Sequence, residues 1–426
     1  MFDISDLDRF NSWWRTGRVN GKLLPDYRRK IFYEIEKGFV NRQIVLLWGL
    51  RRLGKTTVLL QCVDKILSEA PAKNVLYYSF DEEGVDLKEV LEAYQKMVLG
   101  KSFEESKERI YLLLDEIQKV DDWENKIKVY YDLYPNIKFF LSGSAAVGLK
   151  KGSKESLGGR VYEYVIRPLD FEEFLELSGK DPAEIKKNLP RWKKEILPDF
   201  YRYLKYGTFP EIVAEEDAEQ AKKYIQSLVE RIIYRDLPEE LEIRDVELLR
   251  NLTILAARNP GMIVNYKEIG KDLGKDQRTI ANYFQYMEFG LLISYVYNFR
   301  GGSSIASMRK MKKIYLTTPN IAFAYAHSTE CVLPYLLENL IQMETEGKHF
   351  YRNGFEIDFI LFKDEKIIAI EAKKQSRSIK QIKKFLKKYG EKTEKTMIVT
   401  YEEEGKTEET EVLPAWRFLL EKPYKN

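Results

Sequence analysis

The stretch Gln43–Thr57, QIVLLWGLRRLGKTT, decides the fold. Its first part, Gln43 to Trp48, is a short apolar run without alternation, the pattern of a strand buried on both faces of a parallel sheet. The residues that follow, Gly49-Leu50-Arg51-Arg52-Leu53-Gly54-Lys55-Thr56-Thr57, match G-x-x-x-x-G-K-[ST]. Gly49 and Gly54 let the backbone aim its N–H groups at phosphate oxygens, and a helix opening near Lys55 adds the positive end of its dipole. In such a loop Lys55 reaches the β and γ phosphates and the Thr56 hydroxyl ligates magnesium, so the expected ligands are ATP or ADP with Mg2+.

Three more apolar runs lie further along: Asn74–Phe80 (NVLYYSF), Ile110–Leu114 (IYLLL) and Ile137–Leu141 (IKFFL). Between them come stretches of helical period, such as Val58, Leu59, Cys62, Val63, Ile66 and Leu67. Strand and helix alternating at this spacing predict a doubly wound α/β domain over residues 40–167. A phosphate loop needs a second carboxylate at the end of a neighbouring strand to hold magnesium and, for hydrolysis, a base that aligns water. The strand at 110 ends in Asp115-Glu116, which supplies both in that order. The next strand ends in Ser142-Gly143-Ser144, where the Ser144 hydroxyl either senses the γ phosphate or closes a serine-rich turn. Arg160 reads as an arginine finger, acting in cis or in trans, or as half of a surface ion pair.

Composition narrows the rest. A formal net charge of +3 on 426 residues, 32% of them charged, excludes a uniformly basic nucleic-acid coat and an acidic tail, so any polyanion site is a local patch. Cys62, Cys331, His327 and His349 are the only cysteines and histidines, too few for a zinc cluster, a disulfide framework or a Cys/His catalytic centre. The start carries no apolar run of signal length and no run of membrane-spanning length follows, so the expected location is the cytoplasm, away from membranes. Residues 1–39 read as a polar helical segment and 168–242 as a helical lid or connector. In 243–318, NYKEIGKDLG and QRTIANYFQYMEFGLL space two amphipathic helices around a break at Lys275-Asp276. With ISYVYNFRGG and KKIYLT as a two-stranded wing, this is helix-turn-helix spacing. Arg278, with Lys275, Gln277 and Asn282, then faces a groove, unless the domain serves only protein contacts.

GLRRLGKTT, LLLDEIQKVDDWE, FFLSGSAAVGL, LGGRVYEYVIRPLDFEEFL, YLKYGTFPEIV, RIIYRDL and VLPAWRFLL occur in the order seen in a large family of archaeal and bacterial AAA-type ATPases with a C-terminal domain of unknown function. The chain resembles that family over nearly its whole length. The resemblance implies an ATPase core, a winged helix and a C-terminal α/β restriction-endonuclease-like domain over 319–426, with Lys55, Thr56, Asp115 and Glu116 in the roles given above. One departure is Ser142-Gly143-Ser144-Ala145, where the family often has Thr-Gly-Ser-Ser.

That C-terminal stretch holds a second constellation. Asp358 lies in the strand FEIDFILF, and the next strand carries Glu371-Ala372-Lys373. Residues two apart share a strand face, and a hairpin of this length brings Asp358 beside Glu371 and Lys373. Glu338, on the preceding helix, completes a cluster resembling the PD-(D/E)xK nuclease pattern, in which carboxylates hold magnesium against a phosphodiester and the lysine positions water. The plain alternative is a Glu371–Lys373 salt bridge on an edge strand. Downstream, Lys373, Lys374, Arg377, Lys380, Lys383, Lys384, Lys387 and Lys388 flank an apolar stripe of Ile379, Ile382, Leu386 and Tyr389. Lys380, Lys383, Lys384 and Lys387 therefore form a solvated face or a track for a DNA backbone. Two readings follow: an ATPase that positions a metal-dependent nuclease on DNA, or a nucleotide-controlled switch that binds DNA or a partner protein without cutting. A homo-oligomer is compatible with either.

Overall fold

The computed structural model describes residues 4–81, 84–145, 157–241, 243–299, 311–375, 379–407 and 409–425. Arg300–Gly302 of the expected wing, Ala146–Leu149 of the FFLSGSAAVGL motif and Arg377 of the basic run lie outside the described residues. The chain divides into two compact units, Met1–Arg167 and Pro168–Asn426.

In the first unit five strands form one parallel sheet: β1 (Ile44–Gly49), β2 (Val75–Ser79), β3 (Ile110–Asp115), β4 (Ile137–Gly143) and β5 (Val161–Ile166). Their order is β2-β3-β4-β1-β5. Every residue of β1 and β4 is buried, which is why both read as apolar runs without alternation, broken in β4 only by Lys138. Helices α1 (Lys55–Leu67), α2 (Leu87–Tyr94) and α3 (Trp123–Leu133) alternate with the strands. The strand that periodicity did not predict, β5, lies at the sheet edge, with Tyr162 and Glu163 exposed. Its half-wet pattern carries no buried-strand signal.

Lys138 interrupts the apolar run of β4 for a reason visible only in three dimensions. Fully buried, it donates to the carbonyls of Gly38 at 2.9 Å, Asn41 at 2.8 Å and Gln43 at 2.5 Å, pinning the turn that launches β1. Burial pushes its ammonium down to about 7, Arg109 adding to the effect.

The segment before β1 is less polar than its sequence suggests. Its short helices Ile4–Asp8, Trp13–Thr16 and Lys30–Glu36 bury Leu7, Trp13, Phe32 and Ile35. It also covers the open edge of β2: buried Asn11 donates to the Tyr77 carbonyl at 2.9 Å and accepts from the Tyr77 N–H at 2.8 Å. Trp13 and Trp14 both donate to the Val75 carbonyl at 3.0 Å. An uncovered edge strand is an aggregation hazard, and this pairing removes it. Asn11→Ala leaves both Tyr77 groups unpaired, and a loss of roughly 2–4 kcal/mol is expected, read as a lower urea midpoint at unchanged slope.

In the second unit eight strands form a mixed sheet. They are β6 (Ile293–Asn298), β7 (Lys312–Leu316), β8 (His349–Arg352), β9 (Glu356–Lys363), β10 (Lys366–Ala372), β11 (Thr393–Thr400), β12 (Gly405–Lys406) and β13 (Glu411–Pro414). Their order is β12-β13-β11-β10-β9-β8-β6-β7. The helices that matter below are α4 (Leu189–Tyr206), α5 (Val246–Arg258), α6 (Tyr266–Leu273), α7 (Gln277–Phe289), α8 (Pro319–Tyr325), α9 (Thr329–Thr345) and α10 (Lys380–Tyr389). After α5, α6 and α7, the strands β6 and β7 pair antiparallel, and β6 pairs in turn with β8. The Asn298 side chain seals that junction, accepting from Arg352 N–H at 2.9 Å and donating to its carbonyl at 3.0 Å. Strands expected as a wing and strands expected as a C-terminal domain thus share one ladder. The stretch 168–242 joins them through Thr208, whose N–H donates to Asn320 Oδ1 on α8 at 2.8 Å, while Asn320 donates to the Leu204 carbonyl at 2.9 Å.

Candidate functional site

Gly49, Asp115 and Gly143 end β1, β3 and β4, so the phosphate loop opens at the carboxyl edge of the sheet, where α/β sheets bind ligands. Gly49 is required by the fold itself: a Cβ there would lie 2.4 Å from the Ile166 carbonyl oxygen on β5. Gly54 stands at φ 90°, a left-handed conformation that glycine adopts freely, just ahead of α1. Arg52 is also left-handed, at φ 62°, and Leu50 and Leu53 are buried beneath the loop. Arg29 was not anticipated: almost fully buried, it donates to the carbonyls of Leu53 at 3.0 Å and Arg167 at 2.9 Å, clamping the loop from outside. Lys55 folds back over the loop, its Nζ 3.1 Å from the carbonyl oxygens of Gly49 and Leu50. Thr57 follows Thr56 in the first turn of α1.

The order of the sheet puts β4 between β1 and β3, and Asp115 is nevertheless in contact with the loop. Its Oδ2 accepts from Thr56 Oγ1 at 2.6 Å and from the Tyr77 hydroxyl at 3.0 Å, and its Oδ1 accepts from Ser142 Oγ and from the Glu116 N–H. Asp115 is 2% exposed. This convergence of a hydroxyl and a carboxylate is an all-oxygen set suited to magnesium. Burial and the Asp115 charge push the Tyr77 phenol well up, so it stays a donor. Glu116 sits at φ 53°, a conformation rare outside glycine, and its carboxylate accepts from Gln118 Nε2 at 2.5 Å. Gln118 Oε1 in turn accepts from the Ser144 N–H at 3.3 Å.

The serine reading is thereby refined: the hydroxyl that reaches Asp115 is that of Ser142, and Ser144 is tied through its backbone to Gln118. Neither was legible without the strand order. The reading of Arg160 as a finger acting in cis is corrected. Its carbonyl accepts from Ile44 N–H at the start of β1, so it lies at the end of the sheet remote from Gly49. There its guanidinium forks onto Asp132 of α3 at 2.9 and 3.1 Å. That ion pair is the alternative the sequence had left open.

In the second unit Ile370 pairs with Phe359, which sets Glu371 opposite Asp358, one step further along the antiparallel ladder. Asp358 Oδ2 accepts from the Ala372 N–H at 2.9 Å, and Lys373 forms an ion pair with Glu371, which is 2% exposed and lies on an interior strand. Glu338 comes from α9 as expected. What sequence reasoning missed is Lys313 of β7: its ammonium lies 3.1 Å from Glu338, 2.6 Å from Glu356 and 3.9 Å from Asp358. Glu338 also accepts from the Tyr315 hydroxyl. Burial, then the Glu338 charge, pushes the Asp358 carboxyl up to about 8, Lys313 opposing. Among the described residues no group of three His, Cys, Asp or Glu side chains is disposed to hold a metal ion. The ligand set Glu338, Asp358 and Glu371 therefore does not fit a resident divalent ion, because an ammonium already lies among the acids.

On α10, Lys380, Lys383, Lys384, Lys387 and Lys388 are exposed while Ile382 and Phe385 are fully buried. Phe385 joins the apolar stripe, and Lys388 donates to the Tyr351 hydroxyl at 2.9 Å. Asp276 caps α7, accepting from Arg278 N–H at 2.8 Å, and Gln277, Arg278 and Asn282 are exposed. Lys275 is committed to Asp245 at 2.8 Å, which ties the turn to the start of α5. Among the described residues no helix is long and apolar enough to cross a membrane.

A family model described as AAA domain matches residues 41–175. Two others, Domain of unknown function (DUF8612) and Domain of unknown function (DUF4143), match residues 197–328 and 332–418. The chain thus carries an AAA-type P-loop ATPase domain followed by two domains of unknown function. It is similar to an uncharacterized protein of Methanocaldococcus jannaschii, 27% identical over 415 residues that cover 91% of this chain and 90% of the relative. An uncharacterized protein of Haemophilus influenzae is 27% identical over 351 residues, covering 77% and 82%. Among solved structures, a Walker-type ATPase of Pyrococcus abyssi has 16% identity and a TM-score of 0.43, covering 70% of this chain and 95% of that one.

Proposed function

We propose that this protein is a magnesium-dependent ATPase whose second unit binds DNA under the control of nucleotide state. The observation that carries the ATPase half is the 2.6 Å contact between Thr56 and Asp115, residues far apart in sequence that meet at the mouth of a glycine-framed loop. Magnesium, held there by Thr56 and Asp115, would offset charge on the β and γ phosphates. Lys55 exchanges its two loop carbonyls for phosphate oxygens. Glu116 aligns water for attack, and Gln118 orients its carboxylate. Purified protein is expected to release phosphate from ATP only with magnesium present, and Mg·ADP at about a hundred times its Kd should stabilise the fold by about 2.7 kcal/mol. Absence of both effects would refute the nucleotide site.

DNA binding is supported by the exposed lysines of α10, whose apolar stripe anchors the helix and keeps Lys380, Lys383, Lys384 and Lys387 outward. Arg278 and its polar neighbours on α7, within a winged-helix arrangement, are the candidates for groove contacts. Charge reversal at Lys383, Lys384 and Lys387 is expected to flatten the salt dependence of DNA affinity by roughly one unit of slope per lost phosphate contact while leaving ATP turnover unchanged. Unaltered affinity would make α10 a solvated face. Of the two readings, binding without cleavage is favoured by one observation, the Lys313 ammonium lying among the acids that a nuclease would use for metal.

A further inference from the structure

The geometry points to Lys313 as the resident cation of the carboxylate cluster: its ammonium takes the place among Glu338, Glu356 and Asp358 that a divalent ion would hold, so the second unit engages DNA without metal and without cutting it. The assignment deepens the reading of that unit as a binding module.

Three features carry it. The lysine comes from β7, a strand outside the Glu, Asp, Glu-x-Lys pattern, so it adds to Lys373 and does not replace it; Lys373 is engaged with Glu371. The acids are already served by donors of the fold. Glu338 takes Lys313 and the Tyr315 hydroxyl, Asp358 takes the Ala372 N–H at 2.9 Å, and Glu356 takes Lys313 and, at 3.6 Å, Arg352. A metal entering the cluster must strip these bonds first. Finally, Lys313 has little freedom to withdraw: its side chain is 6% exposed, its ammonium lies 5.2 Å from the centre of the Phe350 ring, and its backbone is held in the β6–β7 ladder opposite Val296. A divalent ion beside an ammonium held in this way faces like-charge repulsion at short range with little water to screen it.

Manganese(II) counted by electron paramagnetic resonance on the full chain without nucleotide tests this. Wild type and Asp358→Asn are expected to bind the same number of ions. Lys313→Met is expected to gain one, which the further change Asp358→Asn removes. Lys313→Met/Glu356→Gln deletes one charge of each sign, keeps Glu338 and Asp358, and serves if the single variant fails to fold. DNA binding by wild type should persist in EDTA, with no divalent ion present. An ion in wild type that Asp358→Asn abolishes, manganese-dependent cleavage lost in Asp358→Asn, or a folded Lys313 variant that gains no ion would each overturn the assignment. Wild type that binds no DNA at all, with the ion counts as expected, would instead refute the DNA-binding reading and leave the resident cation standing.

Discussion

ATP turnover is expected to vanish in Lys55→Ala and to fall by about 10²–10⁴-fold in Glu116→Gln, the range typical of removing a positioned general base. The two losses differ in kind. Lys55 is nearly fully buried and rests on the carbonyls of Gly49 and Leu50, and in the proposed mechanism its ammonium exchanges them for the β and γ phosphates. Removing it weakens nucleotide binding and transition-state stabilisation together, and both KM and kcat should suffer. The Glu116 carboxylate touches Gln118 and takes no part in the Thr56–Asp115 contact, so Glu116→Gln should retain Mg·ATP and show the loss in kcat. Single-turnover phosphate release beside equilibrium nucleotide binding separates the two. Wild-type turnover in either variant, with the fold intact, would remove these residues from the mechanism.

Lys313→Ala is expected to lower the stability of the second unit by roughly 3–5 kcal/mol, the cost of leaving buried charges without their partner. With about 2–4 °C lost per kcal/mol for a domain of roughly this size, the thermal midpoint should fall by about 6–20 °C. The deficit should depend on pH with a definite sign. The Asp358 carboxyl is pushed up to about 8, chiefly by burial and then by the Glu338 charge. A carboxyl whose folded pKa exceeds its unfolded value contributes stability that is present at low pH and lost as pH rises through the folded pKa. Without Lys313 the acids repel most when all are ionised, so the variant should trail wild type more at pH 8.5 than at pH 5. Urea unfolding at the two pH values measures it, and an equal deficit at both would mean that Lys313 acts through packing alone.

Local pattern determined what depends on neighbours in the chain. The apolar runs marked β1 to β4 because strands wet on neither face have few polar positions, and the glycine spacing with Lys55 and Thr56 marked the loop because phosphate must meet backbone N–H groups at close range. The period of two, carried one residue past the end of β10, put Glu371 and Lys373 on one face. What only the tertiary structure decided is which distant segments become neighbours. Placing β4 between β1 and β3 brought the Ser142 hydroxyl to Asp115, and pairing β5 with β1 made Gly49 obligatory and carried Arg160 to the far end of the sheet. Docking β6 and β7 onto β8 delivered Lys313 into an acidic cluster that the sequence had completed without it. Periodicity states which face of a strand leaves water. It is silent on what that face meets, and a charge such as Lys138 or Lys313 is stable in the interior only because its partners arrive from elsewhere in the chain.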